Sequence, residues 1–103
     1  MQITQGDVYL EKVNVYNFNG MEEVKPDPRG RLILVEGEVT GHAHAVNAKH
    51  AALYLGTIGM LLVVKKATEL MHEEHDDIPL KEGTYVVKRQ REYTPEEIKY
   101  VQD

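Results

Sequence analysis

The side chains in this sequence that could do chemistry are mainly histidines, which occur as two close pairs and one single residue. His42 and His44 are separated by one residue, and His72 and His75 are separated by two. His50 stands alone after a lysine, a position typical of a surface or turn histidine. The two pairs are therefore the candidate site of the chain.

The spacing of the first pair suits a β-strand. Alternate side chains of a strand point the same way and lie about 6.6–7 Å apart along the chain. His42 and His44 could therefore converge on one ion, with metal–nitrogen bonds of about 2.0–2.1 Å for zinc. Ala43 and Ala45 would occupy the opposite face, where small side chains allow close packing.

The spacing of the second pair suits a helical turn or the end of a strand that enters a loop. Four carboxylates lie in or beside it: Glu73, Glu74, Asp76 and Asp77. Nearby negative charge raises the pKa of a histidine, and it equally favours a bound cation. The alternative left open is that the acidic run forms a solvated loop and the histidines are exposed or hydrogen-bonded.

Both pairs together supply the three or four donors that a tetrahedral site uses. We therefore expect a metal site built from His42, His44, His72 and His75. Imidazole donors without thiols suit zinc, nickel, copper or iron better than calcium or magnesium. Three histidines would leave one position for water and Lewis-acid chemistry, whereas four would make the ion structural.

Other catalytic arrangements find no support. The chain has no serine and no cysteine, which excludes a Ser-His-Asp hydrolase and a cysteine nucleophile. No glycine-rich phosphate loop and no HExxH motif occurs, and no organic cofactor is indicated. Catalytic residues are therefore unknown, and whether the protein is an enzyme stays open.

A second candidate surface lies near the C-terminus. Alternation along a strand places Tyr85, Arg89, Arg91 and Tyr93 on one face. Tyrosine and arginine are common anchors of protein interfaces, which supports a partner-binding role. The alternative is a ladder of salt bridges across neighbouring strands.

The elements that would position these residues are mostly strands. The chain contains 23 β-branched residues against six alanines, and its glycines are spaced like turns. We expect one all-β domain over residues 1–103, an antiparallel barrel or sandwich of about seven strands. Thr94, Pro95 and Glu97 form a capping box, which predicts a short C-terminal helix.

The strand pattern can be followed along the chain. The apolar phase of residues 7–16 slips at Glu11 and Lys12, which predicts a β-bulge. The apolar run 31–36 predicts a strand buried on both faces. Residues 51–55 and 60–65 flank a four-residue hairpin connection, a short strand covers 68–72, and the last strand covers 84–93.

Charge and hydropathy narrow the class of partner. Twelve Lys and Arg against 17 Asp and Glu give a formal net charge of -5. Negative charge disfavours binding to nucleic acid and to anionic membranes. The N-terminal residues show no signal-peptide pattern and no apolar run could span a membrane, so we expect a cytoplasmic protein. A homo-oligomer or a protein partner is plausible because strand edges invite pairing.

Four segments carry a resemblance to a family of small bacterial and phage proteins of uncharacterised activity. These are residues 5–8 (QGDV), 37–44 (GEVTGHAH), 72–75 (HEEH), and 83–95 from GTY to RQREYTP. The resemblance covers most of the chain apart from residues 17–30. It implies a phage or mobile-element accessory protein that acts by assembly or partner binding, an alternative to the metal site.

A weaker resemblance is to the cupins, small β-barrels in which histidines hold a metal. Gly37 followed by His42 and His44 is similar to the first cupin motif, and residues 78–84 (IPLKEGT) are similar to the second. Ala48 and Lys49 stand where the cupin glutamate ligand belongs. The resemblance therefore implies a barrel whose remaining ligands come from the second histidine pair.

Overall fold

Strands are the regular elements of this protein. The computed structural model describes residues 2–14, 17–37, 41–57 and 59–89. The strands are β1 (Gln2–Gln5), β2 (Val8–Val13), β3 (Glu22–Val24), β4 (Arg31–Glu36), β5 (Ala43–Asn47), β6 (Ala51–Gly56), β7 (Gly59–Val64), β8 (Thr68–Leu70), β9 (Ile78–Leu80) and β10 (Gly83–Arg89). The all-β class predicted from the β-branched residues is confirmed, and the described part of the chain forms ten short strands where about seven were expected.

Six of the strands form one antiparallel sheet in the order β1-β2-β10-β7-β6-β3. β4 pairs with β5, and β8 pairs with β9, as two separate antiparallel pairs. An isolated bridge between Ala45 and Met71 joins these two pairs. The strands within the described ranges do not close into a barrel, so the closed barrel implied by the cupin resemblance is not formed by them.

One apolar cluster connects the large sheet with the two small ones. Leu10 of β2 and Leu62 of β7 enter it from the large sheet. Leu34 of β4, Leu70 of β8 and Leu80 of β9 enter it from the small sheets. Burial of this surface is the main stabilising contribution, at about 25 cal/mol per Å² of apolar area.

The predicted β-bulge at Glu11 and Lys12 is wrong. β2 pairs with β10 in unbroken register from Val8 to Val13. The register shift lies instead between β4 and β5, at Ile33 and Val35. The change of apolar phase along β2 did not require an extra residue. Val13, which carries the second phase, lies at the strand end and is only partly buried.

The predicted strands over 31–36, 51–55, 60–65 and 68–72 are confirmed with adjusted ends. β6 and β7 form the predicted hairpin, but Gly56 pairs with Gly59, which shortens the connection to two residues. β4 buries one face fully and the other only partly. The final strand is described over Gly83–Arg89, and the rest of its predicted range, together with the predicted C-terminal helix, lies outside the described residues. No part of the described chain forms a helix able to cross a membrane.

Candidate functional site

Backbone pairing between β5 and the end of β8 brings the two histidine pairs together. His44 lies in β5, His42 directly precedes that strand, and His72 and His75 lie in the loop between β8 and β9. The backbones of Ala45 and Met71 exchange two hydrogen bonds of 2.9 Å. Because the two segments run antiparallel, this bridge places His44, which precedes Ala45, beside His72, which follows Met71.

The four imidazoles form one continuous cluster, which we call the histidine cluster. The ring centroids of His44 and His72 lie 4.3 Å apart, and those of His72 and His75 lie 4.7 Å apart. His42 packs edge-on against His72 at 5.8 Å, and His75 stacks on His44 at 6.0 Å. All four residues predicted from the sequence are therefore adjacent, and their role as metal ligands stays a prediction.

Gln5, at the end of β1, fixes the orientation of the buried His44. The Gln5 Nε2 group donates to the carbonyl oxygens of Leu70 and Asp76, both at 2.9 Å. Its Oε1 atom therefore points at His44 Nδ1, also at 2.9 Å, and accepts a hydrogen bond from it. The proton of neutral His44 is thus held on Nδ1, and Nε2 carries the free lone pair.

The surroundings of His44 keep its ring neutral. Only 3% of the residue is exposed, and this burial, together with charge repulsion from His72, lowers its pKa below the usual 6.5. The carboxylate of Asp7 opposes that shift, with Oδ1 3.5 Å from His44 Nε2. The other Asp7 oxygen lies 3.5 Å from a guanidinium nitrogen of Arg89. A neutral imidazole therefore faces a carboxylate that is shared with an arginine.

The turn between β1 and β2 packs directly against the histidine cluster. Gly6 has a φ of +58°, in the left-handed region that favours glycine. A Cβ at this position would lie 2.7 Å from His75 Nε2 and 3.3 Å from His44 Cε1. Glycine thus serves both the turn and the close approach of two imidazoles.

His72 and His42 contact the loop that follows them. The backbone N–H of Glu74 donates to His72 Nδ1 at 3.0 Å, so neutral His72 carries its proton on Nε2. His42 Nδ1 lies 3.7 Å from the Glu74 carboxylate. His72 would have to give up the Glu74 hydrogen bond to offer the Nδ1 lone pair to another group.

Glu73 connects the acidic loop to β5. Its Oε1 atom accepts a hydrogen bond of 2.8 Å from the backbone N–H of Ala43, and Oε2 lies 3.7 Å from Arg31. The hydrogen bond from Ala43 is the main reason why the pKa of Glu73 falls below its usual value. The rest of the acidic run, Glu74, Asp76 and Asp77, is exposed, as expected for a solvated loop.

As the side chains stand, the described residues contain no group of three or more His, Asp or Glu side chains arranged to hold a metal ion. His44 Nε2 is the one imidazole nitrogen whose lone pair is set by a buried partner. Side-chain rotation at His72 and its exposed neighbours would be needed to complete a coordination shell. Such rotation is feasible because the loop carrying His72 and His75 is largely exposed.

The predicted partner-binding face is only partly described. Tyr85 is fully buried, and its hydroxyl donates to the Lys81 carbonyl at 2.7 Å, so it packs in the core. Burial also raises the pKa of Tyr85. Arg89 pairs with Asp7, which agrees with the salt-bridge alternative, while Arg91 and Tyr93 lie outside the described residues.

Sequence reasoning missed three neighbours of the histidine cluster: Gln5, Gly6 and Asp7. These residues are at least 35 positions before the first histidine, so no local spacing connects them to the site. The only signal was the QGDV segment, one of the motifs that carry the family resemblance. His50 lies apart in the turn after β5, where its Nδ1 is 3.1 Å from Thr68 Oγ1.

Comparison with known proteins gives a family and no function. Residues 4–90 match the model of a domain of unknown function, DUF8820. No curated protein and no solved structure matches the chain significantly. The match covers every residue of the histidine cluster and its three neighbours.

Proposed function

The chain belongs to the DUF8820 family of domains of unknown function, and we propose that it binds a divalent transition metal at the histidine cluster. The observation that carries this proposal is the hydrogen bond between His44 and Gln5. Histidines that bind metals usually donate their second N–H to a carbonyl, carboxylate or water, which fixes the ring. The Gln5 oxygen supplies the same support to His44.

The proposed ligands are His42, His44, His72 and His75. His44 Nε2 is the first donor, because its ring is neutral, buried and already oriented. His75 follows, because its Nε2 edge and the His44 ring both contact Gly6. His72 joins them by giving up its hydrogen bond from the Glu74 N–H to bind the ion, and the partly buried His42 completes the set.

Nearby carboxylates favour a cation at this position. Asp7 Oδ1 lies 3.5 Å from His44 Nε2, and Glu74 lies 3.7 Å from His42. The negative charge of these carboxylates offsets the positive charge of a divalent ion bound by neutral imidazoles. With three histidines bound, one position remains for water, which a metal activates for hydrolysis; with four, the ion is structural.

Metal content tests the proposal directly. Protein purified without a nickel column should contain a stoichiometric transition metal by elemental analysis, and the variant His42→Ala/His44→Ala should not. The matched control is His50→Ala, which removes a partly buried histidine outside the cluster and should keep the metal. Metal-free wild type that gains no stability from added zinc would contradict the proposal.

The size of the stabilisation can be stated in advance. Zinc at about one hundred times its dissociation constant should raise the free energy of unfolding by about 2.7 kcal/mol. For a domain of about 100 residues, each kcal/mol raises Tm by about 4–8 °C. A thermal shift of about 10 °C or more in wild type, absent from His44→Ala, is therefore the expected result.

A second proposal is assembly through the open edges of the large sheet, as for a phage or mobile-element accessory protein. β1 and β3 end the sheet in the described part of the chain, and Leu55 beside β3 is 50% exposed. Unpaired strand edges bind other strands. Light scattering at high concentration tests this proposal, and a strictly monomeric protein that captures no partner would contradict it.

A further inference from the structure

A cavity of about 460 Å³ lies between the turn before β4 and the turn after β5, away from the ring stack of the histidine cluster. Its lining includes three cationic residues, Arg29, Arg31 and Lys49, and among the described residues no carboxylate lines it. The volume falls within the range of about 300–1,000 Å³ that small-molecule sites occupy. The cavity therefore has the size and the charge of a site for a small anion.

Hydrogen bonds to backbone groups hold the two turns of this cavity in place. Asp27 Oδ1 accepts hydrogen bonds from the backbone N–H groups of Arg29 and Arg31, at 3.0 and 2.8 Å. The N–H of Ala48 donates to the Gly30 carbonyl at 2.9 Å and ties the second turn to the first. A cavity whose walls are fixed in this way requires little ordering when a ligand binds.

Two of the three cations have no charge partner among the residues that the structure describes. Arg31 pairs with Asp27 at 2.9 Å and lies 3.7 Å from Glu73, so its charge is already balanced. The side chains of Arg29 and Lys49 make no ion pair or hydrogen bond with any described residue. Both are exposed. Free cations beside a cavity attract anions, and this is the reverse of the net charge of -5 on the whole chain.

We propose that this cavity binds the carboxylate or phosphate group of a small molecule, anchored by Arg29 and Lys49. A guanidinium can donate two parallel hydrogen bonds to either group, and an ammonium adds a point charge. A small molecule is favoured over nucleic acid because the acidic chain repels an extended phosphate backbone. Binding of the anion at these two cations does not require a metal.

This cavity shares two lining residues with a second cavity that borders the histidine cluster. Arg31 and Met71 also line a second cavity, of about 220 Å³, together with His72 and Glu73. A molecule anchored at Arg29 and Lys49 would therefore extend towards His72. The assignment of this molecule as the substrate or ligand of the metal site rests on the proposed function. The substrate of that site would then be a small organic anion.

Titration with simple anions tests the inference. The backbone amide signals of Gly30 and Ala48 would be followed by NMR in protein freed of metal on a chelating resin, at constant ionic strength, with inorganic phosphate and separately with succinate. We expect saturable shifts with at least one anion, and the responding anion identifies the phosphate or the carboxylate class. Arg29→Ala and Lys49→Ala should each weaken binding about tenfold, while Arg29→Lys should lose less.

The matched controls are Lys65→Ala and Lys66→Ala, which remove exposed cations outside the cavity and should leave the affinity unchanged. Shifts that do not saturate, or controls that weaken binding as much as Arg29→Ala, would overturn the inference. Tighter binding of a single-stranded oligonucleotide than of phosphate would also overturn it. Because the anion titration uses metal-free protein, a failed zinc test leaves this result standing, and failed anion binding leaves the zinc test standing.

Discussion

The histidine cluster and the turn around His50 place the same side chain in contrasting surroundings. His44 is 97% buried by its neighbours, and its Nδ1 faces an amide whose orientation is set by two carbonyls. His50 is partly buried, and its Nδ1 faces the Thr68 hydroxyl, which can donate or accept. The protein therefore determines which nitrogen of His44 is protonated and leaves that of His50 undetermined.

The second difference lies in what surrounds each ring. Two other imidazoles, those of His72 and His75, and the carboxylate of Asp7 lie beside the His44 ring, whereas no ring contact involves His50 within the described residues. A histidine acts as a ligand when one nitrogen is supported and the other is free beside further donors. Residue type alone would not have separated these two positions.

The largest expected effect comes from removing the support of His44. Gln5→Ala removes two buried hydrogen bonds, to the Leu70 carbonyl and from the His44 N–H, and one partly buried hydrogen bond to the Asp76 carbonyl. The free energy of unfolding should fall by about 3 kcal/mol, and zinc affinity should fall by at least about tenfold. The matched variant Thr68→Val at His50 should cost about 1 kcal/mol and leave zinc affinity unchanged. Urea denaturation measures the free energy of unfolding, and zinc titration measures the affinity. Equal losses in Gln5→Ala and Thr68→Val would contradict the distinction between His44 and His50.

The next effect concerns the turn that packs on the imidazoles. Gly6→Ala introduces a left-handed alanine and a Cβ 2.7 Å from His75 Nε2, so it should destabilise by about 2 kcal/mol. Gly30→Ala, with φ +77° and no atom within 4 Å of the new Cβ, should cost about 1 kcal/mol from the backbone alone. Thermal unfolding of both variants measures the difference. If Gly30→Ala destabilises the protein as much as Gly6→Ala does, the contact with the imidazoles contributes nothing to the effect of Gly6→Ala.

A smaller effect is the pH dependence of stability. The folded pKa of His44 lies below its usual 6.5, so just below pH 6.5 the unfolded chain binds more protons than the folded one. The free energy of unfolding should therefore decrease as pH falls from 6.5 towards the folded pKa. Urea denaturation between pH 5 and 8 should show this slope in wild type and a flatter one in His44→Gln. An unchanged slope in that variant would assign the effect to another group.

The smallest effect comes from the carboxylate that faces His44. Asp7→Asn removes the negative charge that raises the His44 pKa, so that pKa should fall further. Stability at pH 7 should change by less than about 1 kcal/mol, because Asp7 is half-exposed. NMR titration of the His44 ring measures the pKa. Asp27→Asn, which removes a carboxylate paired with Arg31, is the control and should leave the His44 titration unchanged.

Local pattern by itself determined much of this protein. The β-branched composition predicted the all-β class, and apolar runs bounded by glycines located β4, β6, β7 and β10. The spacing of the histidines selected four residues that prove to be neighbours. These inferences succeed because periodicity and turn residues act within a few positions of the chain.

Tertiary structure decided what the pattern left open. Tyr85 was expected on a surface with Arg89, but the small sheets cover that face of β10 and bury it. Gln5 reaches His44 across 39 positions and Leu70 across 65, through the pairing of β1 with β2 and of Ala45 with Met71. Spacing along a strand shows which side chains share a face, whereas only long-range pairing brings two segments together. The buried amide that fixes His44, and with it the case for a ligand, follows from that pairing.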